Sequence, residues 1–281
     1  MRATAAQPTS RGQRISAFLL ALWYLLVIVF LFAPIVTSIV YAFNVGTLGK
    51  QTSAFTGWTV SWFGAAWANV ALRNTIETSL VVAFWSALIS VVVGSALGYA
   101  LVRHPSRVVR AFLTGLTYVL LIVPETVIGV SLLLFYAVTG VPLSLATLVL
   151  GITPLAISVT ALIVRAGVVT LDRRLDEAAA DLGANPWQVL WFVVLPHLVP
   201  AVLAGALMSY VFSFDNLVVS SFLTTPEVNT LPVYLYGSLQ YGPSPAVYAA
   251  AVGVFVFTLI LLGIAALFYR LVQRRRAVAP A

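Results

Sequence analysis

Long apolar runs alternate with short polar segments along the whole chain. A helix needs about 20 mainly apolar residues to cross the hydrocarbon layer of a membrane. Six runs reach that length, over residues 15–41, 76–102, 111–139, 143–169, 198–222 and 247–271. They are too long and too continuously apolar for the alternating strands of an outer-membrane barrel. The pattern predicts an all-α membrane protein with six transmembrane helices, in a single transmembrane domain over residues 1–281.

The composition of the chain supports lipid as its main solvent. Of the 281 residues, 61% are apolar and only 8% are charged, roughly a third of the charged fraction of a soluble domain. The absence of cysteine excludes disulfides, thiolate metal ligands and thiol nucleophiles. His104 and His197 lie beside prolines in separate polar loops, with no second histidine at ligand spacing, so we expect no metal site.

The arginines indicate how the chain is oriented. With six spans, the two termini and alternate loops lie on the same side of the membrane. These segments contain thirteen of the 15 basic residues, and the loops on the other side contain only Lys50 and Arg73. By the positive-inside rule, both termini are predicted to be cytoplasmic. Because the positive charge is divided among alternate loops, we expect no nucleic-acid partner.

An aromatic segment follows the first run on the outer side. Trp58, Trp62, Phe63 and Trp67 are spaced as on one face of a helix within residues 55–69. We expect an interfacial helix on the outer membrane surface, with a ligand site as the alternative.

The cytoplasmic connection between the fourth and fifth runs, residues 171–196, has an internal structure of its own. A helix is predicted over residues 172–182, and Gly183 suits a left-handed residue that ends it. Asn185 is a preferred N-cap and Pro186 a preferred first helical residue, so a second helix is predicted to Val194. The apolar face of that helix needs a docking partner, and it consists of Trp187, Leu190, Trp191 and Val194.

This connection resembles the signature of binding-protein-dependent ABC importer permeases. The matching pattern is Glu177-Ala178-Ala179, three residues, Gly183, nine residues, Val193, one residue and Leu195-Pro196, with valine where isoleucine is usual. The resemblance implies a type I importer bundle in a bacterial inner membrane. It also implies that the connection is the coupling loop, which contacts an ATPase subunit through Glu177, Ala178, Ala179, Gly183, Pro186, Trp187, Leu195 and Pro196.

Other motifs resemble the second permease subunit of spermidine/putrescine importers. They are Val123-Pro124-Glu125, Ser213-Phe214-Asp215-Asn216, Val218-Val219-Ser220-Ser221-Phe222 and Thr230-Leu231-Pro232-Val233. Permeases for ferric iron, sulfate, molybdate, phosphonate and opines share the coupling signature. The implied partners are two ATP-binding subunits, a second permease chain, an extracytoplasmic solute-binding protein, membrane lipid and a small-molecule substrate. ATP and Mg²⁺ would bind the ATPase subunit, and no cofactor is expected on this chain.

Two acids lie deep within predicted spans. Glu125 and Asp215 each cost about 2.5–3.5 kcal/mol on insertion scales unless they are paired or solvated. One interpretation is a shared cation pathway, to which the neighbouring Tyr210, Phe214 and Asn216 contribute. The other is structural: each acid caps irregular backbone, as Pro124 next to Glu125 suggests.

Two other classes of protein fit the hydropathy alone. A membrane-embedded enzyme would use paired acids, although an aspartyl pair would normally be two Asp. An ion-gradient-driven secondary transporter leaves the cytoplasmic helix-turn-helix unexplained. A nucleotide-binding loop needs a lysine before a hydroxyl residue, and the single lysine, Lys50, precedes Gln51. We therefore expect a transport subunit that is not itself an enzyme and depends on a separate ATPase.

Overall fold

The computed structural model describes residues 11–47, 50–51 and 54–278, which are almost entirely helical. The helices are α1 (Arg11–Ala42), α2 (Ser61–Ala68), α3 (Val70–Arg103), α4 (Arg107–Ile122), α5 (Glu125–Thr139), α6 (Leu145–Thr170), α7 (Arg174–Asp181), α8 (Pro186–Gln188), α9 (Leu195–Phe214), α10 (Val218–Leu223), α11 (Leu231–Gln240) and α12 (Pro245–Val278), with a π-helical segment (Val189–Val194) between α8 and α9. The predicted all-α fold class is therefore confirmed.

Among the described residues, four helices are long and apolar enough to cross a membrane by themselves. They are Ser16–Ala42, Val70–Arg103, Leu145–Thr170 and Pro186–Phe214, which correspond to the first, second, fourth and fifth predicted runs. The sixth predicted run lies within α12, whose apolar part is described over Pro245–Ile260. The count of six spans stays a prediction.

The third predicted run, residues 111–139, is not one straight helix. It is broken at Val123 and Pro124 into α4 and α5, whose axes are bent by 96°. Proline disfavours helical backbone in the residue before it, and Val123 is accordingly extended, with φ −62° and ψ 129°. Pro124 in turn takes the N-cap position of α5, and its carbonyl accepts from the amides of Val127 and Ile128.

The fifth predicted run, residues 198–222, is also interrupted. α9 ends at Phe214, and α10 begins only at Val218. The side-chain Oδ1 of Asn216 accepts a hydrogen bond from the amide of Ser220 at 3.2 Å. Asparagine can compete with the helical backbone in this way, which explains why the apolar pattern runs on through a break.

The described residues divide into two compact units. The first contains the described residues up to Ala68 and Tyr241–Ile264, and the second contains Asn69–Gln240 and the described residues from Ala265. The core of the second unit lies where α3, α5, α6 and α10 meet, and its members are Val82, Tyr136, Leu148, Val149, Ile152, Leu155, Val219 and Leu223.

Small residues let α3 and α9 pack closely on α6. A Cβ added to Gly98 of α3 would lie 2.6 Å from the carbonyl oxygen of Ala161. A Cβ on Gly205 of α9 would lie 2.9 Å from Cγ2 of Thr160, whose hydroxyl donates to the Gly205 carbonyl at 3.3 Å. These contacts hold three spans together at backbone distance, as small residues do in membrane bundles.

In the first unit, the predicted helix over residues 55–69 is shorter than expected. Only Ser61–Ala68 is helical, because the preceding residues are tied to the end of α1. Asn44 is fully buried, accepts from the amide of Thr56 at 2.8 Å and forms a bridge with Trp58. The indole of Trp62 donates to the Asn44 carbonyl at 2.9 Å. The predicted interfacial helix is therefore limited to Ser61–Ala68.

Candidate functional site

The connection after α6 folds as a helix, a tight turn and a second helix. α7 ends at Asp181, and Gly183 has a φ of +85°, in the left-handed region predicted for it. The amide of Ala184 donates to the Ala179 carbonyl at 3.1 Å, so the turn satisfies the helix C-terminus. Asn185 and Gln188 then form a reciprocal capping box at the start of α8, with Pro186 as its first residue.

The second helix of this connection does not stop at Val194 as predicted. It widens into the π-helical segment 189–194 and continues without a gap into α9. Pro196 has no amide hydrogen, and its ring would clash with the carbonyl four residues before it in a regular α-helix. The amide of Leu195 donates to the Leu190 carbonyl, five residues back, which is the π-helical spacing. Leu195 and Pro196 therefore lie in the span's own helix, and the predicted coupling loop runs into that helix without a break.

The two faces of this second helix have different surroundings. Val189, Leu190 and Val194 pack on the ends of α3, α6 and α9, in a cluster with Val164, Val168 and Leu198. The opposite face is exposed: the exposed fraction of Trp187 is 67% and that of Phe192 is 78%. Trp187 and Trp191 lie edge to face with their ring centroids 6.0 Å apart. We call Trp187, Trp191 and Phe192 the aromatic face, and an exposed apolar patch of this kind marks an interaction surface.

The signature residues border the aromatic face. Glu177 and Ala178 are exposed on α7, Ala179 is half-buried, and Gly183 is exposed at the turn. In the described part of the chain, no ion pair joins Glu177 to Arg173 or Arg174, so the intrahelical pairing that would give Glu177 a purely structural role is not formed. The carboxylate is available to another molecule.

Arg103, which the sequence suggested only as a topology charge, connects this segment to α3. Its side chain is 6% exposed, and Nη1 lies 3.3 Å from Oδ2 of Asp176 in α7. Nη2 donates to the Leu171 carbonyl at 2.9 Å. One buried guanidinium thus holds both the end of α6 and the first turn of α7, a role that spacing along the chain does not reveal.

At the far end of the second unit, the structure brings together Glu125 and Asn216. Nδ2 of Asn216 donates to Oε2 of Glu125 at 3.0 Å, and both residues lie at helix breaks. Asp215, the residue that ends α9, is exposed, and no hydrogen bond or ion pair in the described residues engages its carboxylate. Tyr210 and Phe214 stack one turn apart on α9, with ring centroids 6.5 Å apart. Within the described residues, the Glu125 carboxylate therefore has a structural partner, whereas the Asp215 carboxylate has none.

Comparison with known proteins gives a family match and close relatives. Residues 90–277 match the family described as "Binding-protein-dependent transport system inner membrane component". The spermidine/putrescine transport system permease protein PotC of Escherichia coli K12 is 32% identical over 83% of this chain and 87% of that protein. The putrescine transport system permease protein PotI of the same strain is 30% identical over 79% of this chain and 80% of that protein.

Solved structures are similar in fold. A bacterial ABC transporter involved in the import of the acidic polysaccharide alginate aligns with a TM-score of 0.68, at 18% identity, over 96% of this chain and 99% of that one. The MetNI methionine ABC transporter in an inward-facing conformation aligns with a TM-score of 0.61, at 18% identity, over 72% of this chain and 95% of that one.

Proposed function

The chain belongs to the family of binding-protein-dependent transport system inner membrane components, and from that membership we propose that it is a permease subunit of an ATP-driven polyamine importer. The observation that carries the substrate is the 32% identity to a spermidine/putrescine permease over most of both chains. Members of this family are transport subunits, so the chain is not itself an enzyme. Membership therefore favours neither a membrane-embedded enzyme nor an ion-gradient-driven secondary transporter. The Glu125 carboxylate also accepts from an amide, unlike an acid that shares a proton with a second acid.

ATP hydrolysis belongs to separate subunits that this chain contacts through the aromatic face. Two ATP-binding subunits, which would hold ATP and Mg²⁺, close on each other and move the two coupling segments. Because the segment 189–194 continues into α9 and Arg103 ties α7 to α3, movement of the aromatic face is passed to two spans at once. Glu177 and Gly183 lie at the edge of this contact.

The remaining partners follow from the pathway. One chain of this size lines only part of a passage, so a second permease chain, similar or identical, completes it. An extracytoplasmic solute-binding protein delivers the polyamine to the outward-open state, and hydrolysis returns the bundle to the inward-open state. The exposed Asp215 carboxylate and the Tyr210–Phe214 stack attract the ammonium groups of the substrate inside this passage. Both termini lie in the cytoplasm.

Purification of the tagged chain from its native membrane in mild detergent tests this proposal. An ATPase and a second permease chain should co-purify, and proteoliposomes containing the complex should take up labelled spermidine or putrescine with ATP but not with ADP when the binding protein is present. Isolation of a lone chain without nucleotide hydrolysis would contradict the importer role. ATP-driven uptake of another solute, without polyamine uptake, would contradict the proposed substrate but not the importer role.

A further inference from the structure

A cavity of about 570 Å³ lies in the second unit, between the first turns of α3 and the segment that leads into α11. Its polar lining comes from Asn74, Thr75 and Thr78 on α3, and from Glu227, Asn229 and Tyr234 on the other side. Small-molecule sites in proteins commonly have volumes of about 300–1,000 Å³. The cavity is separate from the coupling segment, and none of the six residues was singled out by sequence reasoning as a site residue.

The segment that carries Glu227 is held in one conformation. The amide of Thr225 donates to the Val228 carbonyl at 2.9 Å, and the amide of Val228 donates to the Thr225 hydroxyl at 3.1 Å, so Pro226 and Glu227 form the tip of a closed turn. Val228 packs on the core of the second unit. The Leu231 amide donates to the buried Ser79 hydroxyl of α3 at 2.8 Å, which ties the end of the segment to the opposite wall.

The cavity lining accepts hydrogen bonds and is negative. Glu227 is the one charged residue among the described residues that line it. Asn74, Thr78 and Tyr234 add polar side chains to the lining beside this carboxylate. Arg73, in the first turns of α3, does not line the cavity, and its Nε lies 3.8 Å from Oε1 of Glu77.

A ligand that matches this lining is positively charged and carries several N–H donors. A linear organic amine meets both conditions, since each primary ammonium group supplies a charge and three N–H donors, and each secondary ammonium supplies a charge and two. The size of the cavity suits an organic molecule, and a bare metal ion would need several carboxylate or carbonyl ligands close together. Under the positive-inside assignment, the start of α3 lies on the extracytoplasmic side, where a binding protein would release its solute.

We propose that this cavity, with Glu227 as its charged recognising group, is a polyammonium-binding site at the outer end of the permease. The identification of the ligand as a polyamine rests on the proposed function, and the site's preference for an organic cation rests on its own lining. The site captures the amine before it enters the passage that contains Asp215.

Equilibrium binding of radiolabelled spermidine to the full chain in nanodiscs of zwitterionic lipid tests the site. The wild-type chain should bind saturably, and Glu227→Gln should weaken binding by about tenfold, the effect expected for one charge-assisted contact. Glu77→Gln is the matched control, because Glu77 is a 66%-exposed glutamate on α3 that does not line the cavity, and its variant should bind as wild type does.

Several results would overturn the site. These are equal binding by wild type and Glu227→Gln, absence of saturable binding by the wild-type chain, equal losses in both glutamate variants, or displacement of spermidine by Mg²⁺ at equal concentration. Each variant must elute as a monodisperse chain with an unchanged melting temperature, so that misfolding does not mimic a loss of binding. Transport is measured separately: Glu227-dependent binding without ATP-driven polyamine uptake by the complex would contradict the proposed function and leave the site intact.

Discussion

Asn216 is the residue through which two helix breaks meet. Its amide nitrogen donates to Glu125 at the start of α5, and its amide oxygen accepts from the Ser220 amide in α10. Asn216 is only 5% exposed, and a buried amide with both ends paired favours one arrangement of its neighbours. This pairing supports the structural interpretation of Glu125, while the adjacent Asp215 remains exposed.

The variant Asp215→Asn tests whether the Asp215 carboxylate acts in transport. Because the Asp215 carboxylate has no partner in the described residues, the substitution should leave assembly and stability unchanged while removing a charge that attracts a dication. We expect the KM for putrescine uptake by the reconstituted complex to rise by about tenfold, the worth of one charge-assisted contact.

The matched control for this prediction is Ser221→Ala, since Ser221 is an exposed polar residue nearby whose hydroxyl bonds only within α10. Its variant should transport with the wild-type KM. An unchanged KM in Asp215→Asn would show that the carboxylate does not contact substrate.

At the scale of elements, the turn at Gly183 sets the angle between α7 and α8. A Cβ there would touch no atom within 4 Å, so a substitution acts through the backbone alone. Gly183→Val should strain the left-handed residue by about 1–3 kcal/mol and shift the aromatic face. We expect the reconstituted complex to hydrolyse ATP with little solute transported, measured as solute taken up per ATP consumed.

Gly140 provides a control, because its backbone is also left-handed but it lies at the end of α5. Its φ is +71°, it ends α5, and an added Cβ would also meet no atom within 4 Å. Gly140→Val should lower stability by a similar amount and keep the ratio of transport to hydrolysis. If both variants lose coupling, general destabilisation explains the loss. If Gly183→Val keeps normal coupling, the turn at Gly183 has no role in coupling.

The pair of Arg103 and Asp176 joins α7 to α3. Asp176→Asn keeps the shape of the side chain and removes its charge, leaving a buried guanidinium with a weaker partner. We expect the unfolding free energy to fall by about 1–3 kcal/mol and the transport yield per ATP to fall with it. Melting of the purified chain and the same coupled assay measure the two effects.

Asp181→Asn is the control for Asp176→Asn, since Asp181 is exposed at the other end of the same helix. This variant should change neither the unfolding free energy nor the transport yield per ATP measurably, because exposed charges contribute little to stability. Equal behaviour of the two variants would show that the ion pair does not transmit movement.

At the scale of the whole molecule, hydropathy located the spans because lipid demands helices with satisfied backbones. The caps at Gly183 and Asn185 were also predictable, since their signals are local. The proline next to Glu125 suggested irregular backbone there, but the sharpness of the break was not predictable: Pro34, Pro154 and Pro200 lie inside continuous helices, whereas Pro124 starts a new helix after a 96° bend. Which proline breaks a helix depends on packing around it.

The candidate site was also only partly predictable from the sequence. The signature residues of the predicted coupling loop all lie within residues 177–196 and carry a motif. Arg103 and Leu171 are 68 positions apart, and Glu125 and Asn216 are 91 apart. Polar contacts at such separations are fixed by the fold and leave no periodic trace in a single sequence. The cavity beside Glu227 has the same origin, since its walls come from α3 and from the segment before α11.

The orientation of the whole chain can be tested cleanly because the native sequence contains no cysteine. Leu182 at the coupling turn and Tyr241 between α11 and α12 are both exposed, and the positive-inside rule puts them on opposite sides of the membrane. A membrane-impermeant maleimide should label Tyr241→Cys in right-side-out vesicles and Leu182→Cys only after permeabilisation. The reverse pattern would turn the aromatic face away from any cytoplasmic ATPase, and the importer mechanism would fail with it.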